Sequence, residues 1–288
     1  MKLQTTNNSC DLPDVQCTEP VIKRPIAQVG VENVDVPFML ESKFGGYHDL
    51  VAKVSMRTSL SSELKGISMS RLLLTLKPYL RRPLKHFLIK DILLSLRDNV
   101  GSTDSFIRFE FKLPILRKSP ISEYEFPIYY DCKFEGQLEN DKFRFFQGVT
   151  VQYSSYCPCS AELCGDLKSK GTNGFPHAQR SFAVILVEVL EGTFLWLEEI
   201  IISVEKAVKN LPYAIIKRTD EQRIAQIASE NPMFVEDAIR AISEALDKNS
   251  SIYDYFIKCY HEESIHTSEA IAIDYKGISG GFDSKFHL

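Results

Sequence analysis

From Val31 onward, apolar and polar residues alternate over short runs rich in β-branched and aromatic side chains. These are VENVDVPFML (31–40), DLVAKVSMRTSL (49–60), SFIRFEFKLPIL (105–116), FPIYYDCKFEGQL (126–138) and FRFFQGVTVQYSSY (143–156). Alternation with that composition predicts strands buried on one face. The polar break ENDK, between FEGQL and FRFF, predicts a hairpin turn.

A helical period replaces the alternation elsewhere. The stretch 68–100 has helix-length apolar spacing punctuated by Pro78 and Pro83, and it is more apolar than a surface helix needs, which suggests burial against another subunit. Leu197, Ile201, Val204 and Val208 form one stripe, and Val235, Ile239, Ile242 and Leu246 another, with Asn231 and Pro232 as its expected cap and first-turn pair. Residues 1–28 are polar and aperiodic, and are expected to form an arm that packs on the body only in its second half. The order is strands, helix, strands, strands, helices and a final strand at 268–275. It predicts an α+β fold with mostly antiparallel strands and long helices packed on one face. The body, 29–288, falls into two halves, about 29–150 and 151–288, each with strand pairs and long helices, as a tandem duplication would produce.

Composition narrows the class. The chain has 288 residues, 44% of them apolar and 25% charged, which is ordinary globular usage. Its net charge of −4 argues against a nucleic-acid-coating protein while leaving room for a local basic pocket. The N-terminus has no apolar leader, and the longest greasy run, FAVILVEVL (182–190), contains Glu188, so no membrane span and a cytoplasmic location are expected. Seven cysteines in a reducing compartment remain thiols, and clustered ones then read as metal-binding or reactive.

Two segments concentrate such chemistry. YCPCSAELCGDLKSKGTNGFPHAQRS (156–181) sets Cys157, Cys159 and Cys164 after a strand, then a Gly-, Lys- and Ser-rich loop, then His177 and Arg180. Thiolate and imidazole suit a borderline cation such as zinc, although C-x-C is not a common finger spacing and buried thiols beside a satisfied histidine would look the same. KCYHEESIHTSEA (258–270) holds His261, Glu262, Glu263 and His266; Glu263 and His266, three apart, can face one point on a helical turn or tight bend. Between the two, Asp220, Glu221 and Glu236 fall in expected first turns, where the helix dipole favours acids in any case. No Walker loop, dinucleotide fingerprint, H-E-x-x-H or G-x-S-x-G is present.

Nine pieces in shared order and spacing carry a resemblance: DLPDVQ (11–16), QVGVENV (28–34), AKVSM (52–56), KGISMSR (65–71), CPCS (157–160), PHAQRS (176–181), KRTDE (217–221), NPMFVED (231–237) and ESIH (263–266). Together they resemble the type IB GTP cyclohydrolases, the alternative prokaryotic form of the enzyme that opens pterin biosynthesis. The loop from Cys159 to His177 is longer than usual for that family and carries the extra thiol Cys164.

The resemblance implies a tunnelling fold of paired antiparallel sheets and helices, with active sites at interfaces of a homo-oligomer, expected to be a tetramer. It implies opening of the GTP imidazole ring at C8, loss of formate and reclosure to 7,8-dihydroneopterin triphosphate. It also implies one divalent metal, zinc, manganese or iron(II), held by Cys157 and His177 with Glu221, Glu263 and His266 completing or approaching the site. Cys159 is the candidate catalytic thiol, with His177 beside it, and which of the two thiols is the ligand stays open. Glu236 matches the carboxylate that grips the guanine edge. Arg180, Lys217 and Arg218, with Lys65 and Arg71 behind them, are candidates for the triphosphate. The alternatives are a relative acting on another purine or pterin, and a non-catalytic metal-binding assembly protein; a mixed Cys, His and Glu set favours catalysis over a closed structural site.

Overall fold

Eight strands pair in chain order, each antiparallel to the next, into one continuous sheet. The computed structural model describes residues 15–80 and 82–286; residues 1–14 of the expected arm lie outside them. The strands are β1 (Ile26–Glu41), β2 (Tyr47–Leu60), β3 (Ser105–Lys118), β4 (Glu125–Glu139), β5 (Lys142–Tyr156), β6 (Ala178–Val189), β7 (Ile252–Glu263) and β8 (Glu269–Tyr275). The helices are α1 (Met69–Leu76), α2 (His86–Val100), α3 (Pro158–Ser169), α4 (Leu197–Val208), α5 (Arg218–Glu230) and α6 (Val235–Asp247).

Alternation decides the faces. Ile107, Phe109, Phe111, Leu113 and Ile115 of β3 and Val149, Val151 and Tyr153 of β5 all point to the helix-covered side and are buried there. The expected turn at ENDK is a two-residue hairpin: Glu139 pairs with Lys142, and Asn140 and Asp141 adopt φ of +48° and +62°. Those are the left-handed conformations that a type I′ turn requires and that Asn and Asp tolerate.

Part of the apolar excess of 68–100 is covered within the chain: Leu88, Ile89, Ile92, Leu93 and Leu96 of α2 are buried against the chain's own sheet, while Met69, Leu73, Leu74 and Phe87 stay exposed. The close approach is made at Gly136 of β4, where a Cβ would stand 2.4 Å from the Cγ2 of Ile89. Ile200, Ile201, Val204 and Val208 of α4, and Val235, Ile239, Ile242 and Leu246 of α6, complete the layer.

Other expectations are corrected. The greasy run at 182–190 lies mostly in β6, and the segment read as a helical turn is the end of β7, with the turn following Glu263. The loop after Cys157 is largely the helix α3. Asn231 and Pro232 do not cap α6: Asn231 ends α5, and the N-cap of α6 is Phe234, whose N–H donates to Asp237 Oδ2 at 3.2 Å. The paired sheets implied by the resemblance are, within one chain, a single sheet.

Register fixes the polarity of the molecule. The β1–β2, β3–β4 and β7–β8 connections and the α3-bearing β5–β6 connection all leave one end of the sheet, and the helical crossovers leave the other. That first end carries both the Cys- and the His-bearing segments.

Candidate functional site

At the tip end, strands β5, β6 and β7 bring both Cys- and His-bearing segments together. Tyr156 pairs with Ala178, and one step further Cys157 N–H donates to His177 O at 3.4 Å. Gln179 pairs in turn with Glu263. Neighbouring strands lie about 4.8 Å apart, so two inter-strand steps span the row from Cys157 to the end of β7 in about 10 Å. Glu263 is an inward position of β7, and Cys157 and His177, one step beyond the last pair of β5 and β6, continue the same inward phase. Beyond β7, His266 Nε2 approaches Glu263 Oε2 at 3.4 Å across the turn.

Beneath this row lies a buried polar group. His261 is 1% exposed, with Nε2 2.9 Å from Tyr153 Oη and Nδ1 3.2 Å from Ser155 Oγ and 3.3 Å from Gln179 Nε2. Ser155 Oγ also meets Ser181 Oγ at 2.7 Å. Burial pushes the His261 imidazolium down to about 4, against the opposing charge of Glu236, so the ring is neutral at physiological pH. Burial likewise pushes the Cys259 thiol up to about 12 and raises the Tyr153 phenol. The signal in the sequence was available: Tyr153 and Ser155, then Gln179 and Ser181, place polar residues two apart at inward positions where apolar ones are the rule.

The start of α6 closes the site from above. Met233 N–H donates to Tyr156 O at 3.0 Å, tying the helix's approach to the last pair of β5 and β6. Glu236 stands exposed in the first turn, at the positive end of the helix dipole.

The remaining candidates are distributed as follows. Cys159 is exposed in the first turn of α3, and Cys164 is half-buried further along it. Lys217, Arg218 and Glu221 stand at the start of α5, which is docked on the β3–β4 tip. There the buried Asp220 carboxylate accepts from the N–H groups of Ile121, Ser122 and Lys217, each at 2.8 Å, and from Ser122 Oγ at 2.5 Å. Burial alone would raise this carboxyl, but the hydrogen bonds from Ser122, Lys217 and Ile121 hold it well below the usual range. Lys217 Nζ lies 4.6 Å from the centroid of the Tyr124 ring. Arg180 occupies an even position of β6, paired with Ser154 and Glu262, and so projects from the face opposite His177. Lys65 and Arg71 follow the far end of β2. Within one chain, therefore, the structure does not gather the cations around the Cys157–His177 pair.

Two observations bear on a metal. His177 Nδ1 is buried without a hydrogen-bond partner, as suits a nitrogen that binds an ion, and a thiol stands on the neighbouring strand. Yet among the described residues no three His, Cys, Asp or Glu side chains come close enough to share one ion. The donors fit the chemistry as two separate pairs, Cys157 with His177 and Glu263 with His266. The five expected ligands do not converge in the single chain, and Glu221, on the β3–β4 side, joins neither pair.

The fold defines a class first. The chain is similar to the uricase of Arthrobacter globiformis, with a TM-score of 0.51 at 5% identity over 92% of this chain and 98% of that one. It is also similar to the urate oxidase of Bacillus sp. TB-90, with a TM-score of 0.51 at 9% identity over 87% and 99%. At such identity the likeness is one of fold alone. Sequence gives the family: the profile described as Type I GTP cyclohydrolase folE2 matches residues 12–272, and the chain belongs to that family. It is 31% identical over 261 residues to the GTP cyclohydrolase FolE2 of Geobacter metallireducens, covering 91% of this chain and 95% of that one. It is 32% identical over 247 residues to the GTP cyclohydrolase FolE2 of Pseudothermotoga lettingae, covering 86% and 92%.

Proposed function

We propose that the chain is a GTP cyclohydrolase of folate biosynthesis, converting GTP and water to 7,8-dihydroneopterin triphosphate and formate by hydrolysis of a cyclic amidine C–N bond. The family match across residues 12–272 carries this reading. We further infer that the chain is of the type IB, tunnelling-fold kind and acts in the cytoplasm. Its supporting feature is a repeated order, two strands, helices, two strands, on either side of the β4–β5 hairpin, which suits a tandem pair of halves.

In this reading Glu236 accepts hydrogen bonds from the ring N–H and exocyclic amine of guanine, at a helix start whose N–H dipoles face the base. A divalent cation, zinc, manganese or iron(II), would be held by Cys157 and His177, with Glu221, Glu263 and His266 as the further donors, and would supply an activated water for attack at C8. His177 would hold or move a proton at the reacting end of the base, and the exposed Cys159 thiol would act at the same carbon. Because one chain supplies donors only in pairs, the complete site forms in a homo-oligomer, four chains by the resemblance. Arg180, Lys217 and Arg218 then meet the triphosphate from neighbouring copies, a role that the separation of these cations in one chain requires to be shared.

The test is purified, metal-loaded protein incubated with GTP, reading formate and the fluorescence of oxidised neopterin. Turnover with loss of bound metal and activity in His177→Ala and His266→Ala is expected. Full activity in both variants refutes the metal assignment, and no turnover of GTP by the loaded wild type refutes the function.

A further inference from the structure

The buried polar group beneath the site has one member that the fold leaves unsatisfied. Gln179 is 5% exposed, its Nε2 lies 3.3 Å from His261 Nδ1, and its amide oxygen has no hydrogen-bond partner. A buried carbonyl without a donor is costly, and native interiors rarely keep one without a reason. The orientation of the amide follows from its neighbours. If Nδ1 of His261 accepts from Gln179, then Nε2 carries the ring proton and donates to Tyr153 Oη at 2.9 Å, while Tyr153 is itself hydrogen-bonded to Cys259. The nitrogen end of the amide is thereby turned to the imidazole, and the buried oxygen end points away from it.

Its outlook is set by the register. Gln179 follows Ala178, the partner of Tyr156, and Tyr156 O receives the N–H that ties down the approach to α6 and Glu236. Two residues back, just before β6 begins, stands His177 with its own unpartnered Nδ1. A guanine whose N1–H and one amine hydrogen go to Glu236 keeps a second amine hydrogen to donate.

We propose that Gln179 is a specificity-determining residue for a 2-amino-6-oxopurine nucleotide, its amide oxygen accepting that second amine hydrogen, and that His261 is a positioning residue that turns the oxygen toward the base. The proposal rests on the reading of Glu236 as the guanine anchor. A site with a buried acceptor for a substrate N–H discriminates against the analogue lacking it, because the acceptor is then left unpaired.

The experiment compares GTP with inosine triphosphate, which lacks the exocyclic amine, on the metal-loaded full chain, reading kcat and KM and, by calorimetry, binding of each nucleotide. Gln179→Met keeps the volume and removes the acceptor. It is expected to lower kcat/KM for GTP roughly tenfold through KM while leaving inosine triphosphate unchanged, so that the preference for GTP falls by that factor. His261→Phe is expected to lower the preference in the same way, and adding Gln179→Met to it to change little more; His261→Asn replaces it should the Phe variant fail to fold. Equal losses for both nucleotides, or an unaltered preference, overturn the proposal. Undiminished GTP binding in Glu236→Ala, or a wild type that does not turn GTP over, overturns instead the anchor reading and this inference with it.

Discussion

The ion pair between Arg117 of β3 and Glu205 of α4 offers the sharpest test of how the helix layer is held over the sheet. The Glu205 side chain is 9% exposed and that of Arg117 15%. Arg117 Nε and Nη2 donate to the two carboxylate oxygens at 3.1 and 2.7 Å, and the Tyr130 hydroxyl donates to one of them as well. Burial works against the guanidinium charge, but the hydrogen bond and charge of Glu205 outweigh it and raise Arg117, while burial and the same carboxylate raise Tyr130. The pair sits where the sheet parts: the β4–β5 ladder ends at Asp131 and Thr150, and further on Ser154 N–H donates to Asn210 O instead of to β4. Arg117→Met leaves a buried carboxylate with one donor, a loss of about 3–5 kcal/mol. At roughly 2–4 °C per kcal/mol for a chain of this size, the melting temperature falls by about 10 °C. Arg117→Met combined with Glu205→Leu removes both charges and recovers most of that loss, because an apolar pair of similar volume has no desolvation cost to offset. Urea and thermal unfolding of the four proteins give the coupling energy. A single variant within about 1 kcal/mol of wild type, or a double variant no better than the single one, refutes this account.

Three further outcomes are expected. Asp220→Asn unlocks the start of α5 from the β3–β4 tip and lowers the melting temperature at pH 7; since the Asp220 pKa is depressed in the fold, its contribution is present above the unfolded carboxyl pKa of about 3.9 and lost as pH falls through the folded value, so the gap to wild type closes in acid. A pH-independent gap in thermal scans from pH 7 to 3 argues against it. His261 is depressed too, from about 6.5 in the unfolded chain to about 4, so stability is present above pH 6.5 and falls by on the order of 2 kcal/mol between pH 7.5 and 5; urea titrations of wild type and His261→Gln must differ in slope across that window. Gly136→Val drives a side chain into Ile89 and costs about 1–3 kcal/mol in urea unfolding, and a neutral result would mean that α2 is not packed as described.

Much of the sheet was legible because its strands are half-buried. In β3 and β4 one face is apolar and the other charged, and period two shows through. In β6 and β7 the alternation fades, and the period does not mark them as strands: Ile185, Leu186 and Val187 are all buried because the C-terminal segment, through Phe282, covers the second face at Leu186 and Phe256. The helix α3 escaped because it buries nothing: none of its residues is buried, so there was no apolar stripe to find. For the site, the residues singled out by type, Cys157, His177, Glu263, His266 and Glu236, fall at one end of the molecule. Type alone does not carry direction, and Arg180, one position out of phase, faces away.

The polar group at the tip end also explains why that end suits a ligand. Among the described residues, five buried side-chain atoms have no partner, and two of them, His177 Nδ1 and Gln179 Oε1, belong to residues two apart at the start of β6. An isolated lapse in a large core is ordinary, but two so close together leave one small region of the chain short of two hydrogen bonds. Apolar residues at 153, 155, 179, 181 and 261 would have continued the core of β5, β6 and β7 at no such cost. A chain that keeps polar groups there gives up stability at the one place where the approach to α6, tied to Tyr156, sets a carboxylate above them. The unsatisfied nitrogen and oxygen are of opposite need, one suited to a cation or a proton and the other to an N–H donor. A single ligand that satisfies both has to present an N–H edge and a metal- or proton-binding end within a few ångströms of each other, which is what the proposed guanine pose, anchored at Glu236, would require.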